Sequence, residues 1–217
     1  MKKALLFDFD YTLGDSTNGI FLSVNYALKE LGYPERGVEE VKRTVGLMLK
    51  QTYEVFTNKK DEGEAQKFAD LFKAKADEVI LPNTTLYPGV MDILQKLKNQ
   101  RIKIGIVTTK YHYRIDAILG KYNADGMVDI IVGGDDVKIE KPDPEGLLLA
   151  IRELQLEKSQ VFYVGDSLVD AQTAESAGVD FAGVLTGTTT RQDFSKHKSA
   201  YIGQNLEEIY QFAETLI

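Results

Sequence analysis

The 217-residue sequence predicts an α/β fold, in which a parallel sheet is covered by helices on both faces and carries an inserted helical segment. Two observations lead to this prediction. Short apolar runs that end in polar residues alternate with segments in which apolar residues recur at helical spacing. In addition, the stretch from Asp15 to about Leu86 contains helical patterns but no convincing strand.

Five short apolar runs predict buried strands of the parallel sheet. The runs are Ala4–Phe9, Ile102–Val107, Val128–Val132, Val161–Val164 and Phe181–Leu185. Each run is followed by polar residues, and open parallel sheets bind their ligands beyond the carboxyl ends of the strands. The sequence therefore predicts a binding site at that edge of the sheet.

Apolar residues at helical spacing predict helices between the strands and in the inserted segment. The core helices are indicated by Val90, Ile93, Leu94 and Leu97, by Leu147, Leu148, Ile151 and Leu154, and by Leu206, Ile209, Tyr210, Ala213 and Leu216. The inserted segment is too long to be a simple loop, so we interpret it as a helical cap. The predicted domains are a core of residues 1–14 and 87–217 and a cap of residues 15–86.

Composition and charge argue against several classes of function. The formal net charge is −7 and there is no basic cluster, which argues against a nucleic-acid surface. The absence of cysteine excludes disulfides and thiolate chemistry. The apolar run Ala4–Phe7 is too short for a signal peptide, and no run approaches the ~20 residues of a membrane span. We therefore expect a cytoplasmic monomer or homodimer that binds neither nucleic acid nor membranes.

Two pairs of carboxylates follow the first and fourth strands. Asp8 and Asp10 are two residues apart, so one can be ionised for attack while the other transfers a proton. Asp166 and Asp170 add hard oxygen ligands, which favour Mg²⁺ over zinc in a chain with no cysteine. Taken alone, the first pair is also typical of a solvated turn. The second pair is equally typical of a helix N-cap and a first-turn acid.

A threonine and a lysine follow the other predicted strands. Thr108 ends the second strand, where its hydroxyl can bind a phosphoryl oxygen or cap the next helix. Lys141 precedes Pro142, which disfavours helical geometry and keeps the lysine in a loop. Asp143 and Pro144 are expected to cap and begin the following helix. This corner can direct an ammonium toward the sheet edge, although a lone lysine is more often a solvated surface charge.

Together these residues resemble the haloacid dehalogenase superfamily of aspartate-nucleophile phosphatases. The four motifs of the family are matched in order by Asp8, Asp10 and Thr12, by Thr108, by Lys141-Pro142, and by Gly165, Asp166 and Asp170. The chain is most similar to the phosphoglycolate phosphatase-like group, as indicated by Asp15-Ser16, Arg43–Leu47 and Tyr87–Gly89. The resemblance implies a Rossmann-like, three-layer core with a helical cap inserted after the first motif.

The resemblance also implies a mechanism and a set of site residues. Asp8 would be the nucleophile and Asp10 the general acid and base in hydrolysis of a small phosphomonoester. Mg²⁺ would be held by Asp8, Asp166 and the Asp10 carbonyl. Asp170 would act through a water molecule or as a support for the ligands. The residues that bind the phosphoryl group or the rest of the substrate would be Thr108, Thr109, Lys141 and Arg43.

Tyr11 departs from the family pattern, which usually has glycine at this position. We expect its φ to be negative, because a side chain is then tolerated, and its ring to project toward the cap. Substrate selection is expected to depend on residues of the cap and of the second motif. These candidates are Arg43, Gly46, Leu47, Lys50, Lys110 and His112.

Several other functions are compatible with parts of the pattern. A sugar-phosphate mutase or an inorganic pyrophosphatase would use the same catalytic residues. Phosphonate hydrolysis would need a Schiff-base lysine in the cap, for which Lys42 and Lys50 are candidates by position. A dehalogenase of this fold would have tyrosine in place of Asp10. A non-catalytic binding protein is the alternative outside enzymology, although all the motif acids are present.

Overall fold

Eight β-strands are present in the computed structural model, which describes residues 1–217. They are β1 (Ala4–Phe7), β2 (Gly14–Asp15), β3 (Thr85–Leu86), β4 (Lys103–Val107), β5 (Ile130–Val132), β6 (Val161–Gly165), β7 (Asp180–Val184) and β8 (Tyr201–Gly203). Six of them form a parallel sheet in the order β5-β4-β1-β6-β7-β8, and β2 and β3 form a separate two-stranded sheet. All residues of the central strands β1 and β6 are buried, as expected for a sheet covered on both faces.

Ten α-helices and one short 3₁₀ helix, Lys158–Gln160, complete the fold. The α-helices are α1 (Thr17–Glu30), α2 (Val38–Lys42), α3 (Leu49–Thr57), α4 (Glu62–Val79), α5 (Val90–Asn99), α6 (His112–Lys121), α7 (Glu145–Glu153), α8 (Leu168–Ala177), α9 (Arg191–Phe194) and α10 (Leu206–Glu214). Side chains of Asp61, Ser167, Thr190 and Asn205 accept hydrogen bonds at the N-termini of α4, α8, α9 and α10. No helix combines the length and the apolar character needed to cross a membrane.

The predicted α/β fold class is confirmed, and all five predicted strands are found with ends that differ by at most two residues. The sequence did not predict β8, which occupies one edge of the sheet. This strand has three residues, of which Tyr201 and Ile202 are only half-buried. Its hydrophobic run is too short to be distinguished from a loop.

Aromatic and aliphatic side chains fill the layer between the sheet and the helices α7 and α8. Tyr163 of β6 packs against Phe181 of β7, with ring centroids 6.2 Å apart. Phe181 in turn packs against Phe194 of α9 at 5.8 Å. Each ring is buried, so this row of aromatic contacts anchors the strand β6 in the core.

The chain divides into two compact units, Met1–Asp15 with Leu86–Ile217 and Ser16–Thr85. The first unit contains the six-stranded sheet, and the second contains α1 to α4. In the helical unit, the Glu64 carboxylate accepts hydrogen bonds from the hydroxyls of Tyr33 and Tyr53. The Tyr53 ring packs 6.0 Å from that of Phe68. The role of this unit as a cap stays a prediction.

Candidate active site

The carboxyl ends of three neighbouring strands carry the predicted acids and the predicted threonine. Strand β1 lies between β4 and β6 and is parallel to both. Asp8, Thr108 and Asp166 directly follow these three strands, and all three are buried. The sheet therefore gathers residues that are far apart in the sequence at one edge.

Lys141 lies within a buried cluster of acids. Its Nζ donates to Asp8 Oδ1 at 2.8 Å and to Asp170 Oδ1 at 2.6 Å. Carboxylate oxygens of Asp8, Asp166 and Asp170 all lie within 4.8 Å of one another. Because all four side chains are buried, three carboxylates share one largely water-excluded site with the Lys141 ammonium.

The protonation equilibria of this acidic cluster are strongly perturbed. Burial raises the pKa of Asp8 to about 6, although the Lys141 ammonium opposes this shift. Burial, together with the Asp170 and Asp8 carboxylates, raises the pKa of Asp166 well above its usual value. Burial by itself would lower the pKa of Lys141, but the Asp170 and Asp8 carboxylates raise it well above its usual value. Lys141 is therefore charged. Its single positive charge does not balance the three carboxylates, so the cluster has excess negative charge.

An oxygen-rich, buried site with excess negative charge fits a hard divalent cation. Oxygens of three carboxylates lie within 4.8 Å of one another, and Mg²⁺ prefers such oxygen ligands. Burying like charges together is costly without a counter-ion, as the raised pKa values of Asp8 and Asp166 show. The donor set and the charge balance therefore agree with the predicted metal site.

Tyr163 supports the cluster from inside the core. Its hydroxyl accepts from Lys141 Nζ at 3.1 Å and has two acceptors at 3.0 Å, the Val107 carbonyl and Asp170 Oδ1. Sequence reasoning included this tyrosine only as one member of an apolar strand. The available signal was that a buried hydroxyl in a strand ending in Gly-Asp needs polar partners.

Asp170 is held in place by its own helix. Ser167 is the N-cap of α8, and its Oγ accepts from the Asp170 amide at 3.1 Å. Asp170 Oδ2 in turn accepts from the Ser167 amide at 3.1 Å and from its Oγ at 2.6 Å. A Cβ at Gly165 would lie 2.4 Å from Asp170 Cβ, which explains the glycine of this motif. The alternative that Asp166 caps the helix is therefore wrong.

Asp166 is enclosed by a loop that the sequence analysis did not identify. A Cβ built at Gly187, which lies after β7, would be 1.9 Å from Asp166 Oδ2. The backbone of this loop therefore passes directly against the carboxylate, and only glycine fits without a shift. The one available sequence signal was that Gly187 follows a predicted strand end.

The turn after β1 differs from expectation at Tyr11. Its φ is +59°, so the predicted negative φ is wrong. The Tyr11 amide donates to the Gly14 carbonyl at 2.7 Å, and the Thr186 hydroxyl donates to the Tyr11 carbonyl. These backbone hydrogen bonds hold a tight turn that needs a left-handed residue. The Tyr11 side chain is buried, with 5% of its surface exposed.

Asp10 lies outside the acidic cluster, and its carboxylate is paired separately. Asp10 Oδ2 lies 3.0 Å from Lys110 Nζ. Thr108 Oγ accepts from the Lys110 amide at 3.3 Å, and Thr109 is half-buried beside it. The helix α6 begins at His112, with Tyr111 as its N-cap. The alternative that Thr108 caps this helix is therefore wrong.

The loop at Lys141 leads into a helix that starts slightly later than predicted. Pro144 is the N-cap residue of α7 rather than its first residue. Asp143 Oδ1 accepts from the Glu145 amide at 2.9 Å, so it still satisfies a free N–H at the start of the helix. Lys141 itself stays outside helical structure, as predicted.

The predicted substrate residues of the helical unit lie around α2 and α3. Arg43 is exposed at the C-terminal end of α2. Lys42 pairs with Glu39 at 3.0 Å and Lys50 pairs with Glu62 at 2.7 Å. The hydrogen bond that Lys50 donates to Glu62 raises the pKa of Lys50, whereas a Schiff-base lysine must be neutral to react. The role of Arg43 in substrate binding stays a prediction.

Comparison with known proteins identifies the family. Residues 5–184 match the family described as haloacid dehalogenase-like hydrolase. Phosphoglycolate phosphatase from Pseudomonas putida is 31% identical over 194 residues, which cover 86% of this chain and 71% of that relative. Phosphoglycolate phosphatase from Rhodobacter capsulatus is 32% identical over 186 residues, 83% of each protein. The crystal structure of a haloacid dehalogenase-like hydrolase from Bacteroides fragilis has a TM-score of 0.94 at 41% identity, covering 96% of this chain and 100% of that one.

The parallel sheet places the protein in the α/β class with a Rossmann-like core, and the chain belongs to the haloacid dehalogenase-like hydrolase family. Its relatives place it in the phosphoglycolate phosphatase-like group, so it is an enzyme that hydrolyses phosphate esters. The family resemblance and the enzyme class predicted from the motifs are thus confirmed.

Proposed function

We propose that the enzyme is a Mg²⁺-dependent phosphatase of small phosphomonoesters, with phosphoglycolate as the first candidate substrate and Asp8 as its nucleophile. One observation carries the proposal, namely the buried cluster in which Lys141 contacts Asp8 and Asp170 beside Asp166. The relatives named phosphoglycolate phosphatase support the choice of substrate class.

Asp8 performs the first chemical step of the proposed reaction. Its carboxylate attacks phosphorus, so that an oxygen–phosphorus bond forms as the bond to the leaving oxygen breaks. The product on the protein is an aspartyl-phosphate, which water then hydrolyses to inorganic phosphate and free Asp8. The Lys141 ammonium at 2.8 Å lowers the repulsion between this carboxylate and an anionic substrate.

Asp10 is assigned the proton transfers. It protonates the leaving oxygen in the first step and accepts a proton from the attacking water in the second. This assignment fits its position two residues from Asp8 and outside the acidic cluster.

The remaining polar groups are assigned to binding. Thr108, Thr109 and Lys141 bind phosphoryl oxygens, and Arg43 contacts the rest of the substrate. Asp8, Asp166 and the Asp10 carbonyl would hold Mg²⁺, while both Asp170 oxygens are engaged by protein groups. When bound, the ion supplies positive charge that neutralises the carboxylates and the phosphoryl oxygens. Asp170 is therefore assigned to holding Lys141.

A panel of phosphate esters tests this function directly. Phosphate release is measured with and without Mg²⁺ for phosphoglycolate, sugar phosphates, nucleoside monophosphates and pyrophosphate. We expect metal-dependent release from a small ester, and a rise in melting temperature on addition of Mg²⁺ that Asp166→Asn lacks. No phosphate release from any ester would contradict the proposal. Isomerisation of a sugar phosphate would indicate a mutase, and preference for pyrophosphate would indicate a pyrophosphatase.

A further inference from the structure

Lys110 is a second buried lysine at the strand ends, and the proposed chemistry leaves it without a role. Its side chain is 5% exposed, and its Nζ lies 3.0 Å from Asp10 Oδ2. Transfer of an ammonium from water into such surroundings is costly unless a charged partner is close. Lys110 and Asp10 therefore form a buried ion pair, whereas lysines such as Lys103 form ion pairs at the exposed surface.

The backbone around Lys110 is fixed on both sides. Its amide donates to Thr108 Oγ at 3.3 Å, and its carbonyl accepts from the Gly134 amide at 3.1 Å. Its Nζ also lies 6.0 Å from the centre of the Phe9 ring. Phe9 is the residue between the two acids of the first motif, so the lysine packs against the segment that carries Asp10.

The two carboxylate oxygens of Asp10 are not equivalent. Oδ2 faces the Lys110 ammonium, whereas Oδ1 is buried and has no hydrogen-bond partner in the protein. A buried oxygen without a partner is costly, so this orientation of the Asp10 carboxylate needs a contact that holds it. The Lys110 ammonium beside Oδ2 supplies that contact.

We infer that Lys110 is a positioning residue that fixes the Asp10 carboxylate for proton transfer to the leaving oxygen. The inference rests on the proposed function of Asp10. As the phosphorus–oxygen bond breaks, a proton moves from Asp10 to the leaving oxygen and Asp10 becomes a carboxylate. The attacking water later returns a proton to Asp10, and Lys110 keeps its own proton throughout.

A pair of substrates with different leaving groups tests the inference. An alkyl phosphate needs its leaving oxygen to be protonated, whereas p-nitrophenolate departs from p-nitrophenyl phosphate with little help. The measured quantity is the ratio of kcat/KM for the alkyl ester that the wild-type enzyme hydrolyses fastest to kcat/KM for p-nitrophenyl phosphate. Because both values come from one preparation, the ratio does not depend on the fraction of folded enzyme.

Lys110→Met is expected to lower this ratio about tenfold or more, since general acid help is worth about 10²–10⁴-fold. Asp10→Asn should lower it at least as much, and adding Lys110→Met to Asp10→Asn should lower it no further. Lys110→Arg retains a cation and should keep the ratio within about threefold of wild type. If Lys110→Met does not fold, Lys110→Gln takes its place with the same expected direction.

Separate outcomes distinguish failure of this inference from failure of the proposed function. If the wild-type enzyme hydrolyses neither ester, the proposed function and the inference both fail. If it hydrolyses both, an unchanged ratio in Lys110→Met overturns the positioning role alone. Equal losses for the two esters would show a structural role, and a rise in KM with an unchanged ratio would show a substrate-binding role; either result overturns the inference.

Discussion

Asp8 and Asp10 are separated by one residue but lie in different electrostatic surroundings. Asp8 shares the Lys141 ammonium with Asp170, in a cluster where carboxylates outnumber the positive charge. Burial there raises the pKa of Asp8 to about 6. The surroundings of Asp8 therefore have excess negative charge, and a cation is needed to balance it.

Asp10, in contrast, has a positive charge of its own. The buried Lys110 ammonium lies 3.0 Å from one of its oxygens, and the other oxygen has no partner. The negative charge of Asp10 is thus balanced by a lysine. The excess negative charge of the Asp8 cluster needs a bound cation instead. Two acids that lie two residues apart are therefore suited to different chemical roles, because their counter-charges differ.

Removal of the nucleophile is the largest expected effect. Asp8→Asn should lower kcat about 10⁴-fold or more for alkyl and aryl esters alike, because no covalent intermediate can form. Asp10→Asn should cost about 10²–10⁴-fold for alkyl esters and less for aryl esters. Phosphate release measures both, and mass spectrometry of acid-quenched enzyme should find the phosphate adduct on Asp8 only. Wild-type turnover by Asp8→Asn would falsify the nucleophile assignment.

Loss of the central ammonium should affect both activity and stability. Lys141→Met is expected to lower kcat about 10²–10³-fold, as for loss of a charge that stabilises the transition state. It should also lower the free energy of unfolding of the metal-free protein by about 3 kcal/mol, because three buried carboxylates lose their counter-charge. Lys103→Met is the control, since its exposed ion pair with Asp129 should contribute below about 1 kcal/mol in urea denaturation. Equal stability of the two variants would contradict the description of the cluster.

Neutralisation of one acid should stabilise the metal-free protein. Asp166→Asn is expected to raise the free energy of unfolding at pH 7 in EDTA by about 1–3 kcal/mol, because it removes one of the repelling charges. In Mg²⁺ the order should reverse, since only the wild type keeps the full ligand set. Urea denaturation across pH measures both effects. A less stable Asp166→Asn in EDTA at pH 7 would count against excess negative charge in the cluster.

The pH dependence of this gain follows from the sign of the pKa shifts. The pKa of Asp8 rises from 3.8 to about 6 on folding, and that of Asp166 also rises. The folded state therefore binds more protons than the unfolded state in this window, and the cluster loses stability as pH rises through it. The gain in free energy of unfolding of Asp166→Asn over the wild type should thus decrease as the pH is lowered toward 4. Asp129→Asn, which removes the partner of Lys103, is the control expected to show no such gain.

The turn that carries Asp10 provides the smallest expected effect. Tyr11→Gly and Tyr11→Ala both lose a buried ring, but glycine accepts a φ of +59° without strain. Tyr11→Gly should therefore be about 1 kcal/mol more stable than Tyr11→Ala. At the exposed helical position Ala74 the order should reverse, with Ala74→Gly less stable than wild type by about 1 kcal/mol. Thermal unfolding of the four proteins compares these differences.

The fold and the motif residues could be predicted because their signals are local. An apolar strand followed by an acid, a threonine or a glycine-acid pair is visible in a few consecutive residues. Parallel strands then imply that these ends meet at one edge. These strand-end signals predicted four residues of the site, Asp8, Thr108, Asp166 and Asp170. The order of the motifs along the chain indicated the family.

The remaining features depend on contacts between distant segments. The pairing of Lys110 with Asp10 joins residues that are 100 positions apart, and nothing near either one indicates the other. Tyr11, whose φ is left-handed, accepts a hydrogen bond at its carbonyl from Thr186, 175 residues away in the sequence. The choice of Ser167 over Asp166 as N-cap was accessible in principle, because serine followed three residues later by an acid is a capping pattern.

Tyr163 has a consequence for any attempt to redesign or stabilise this enzyme. Its ring belongs to the hydrophobic core, and phenylalanine would fill the same volume against Phe181. A design procedure that scores packing alone would therefore accept Tyr163→Phe as conservative. The change would remove a polar contact of Lys141 and leave the Val107 carbonyl with one fewer donor. Core positions beneath the strand ends thus need to be protected in sequence libraries together with the acids above them.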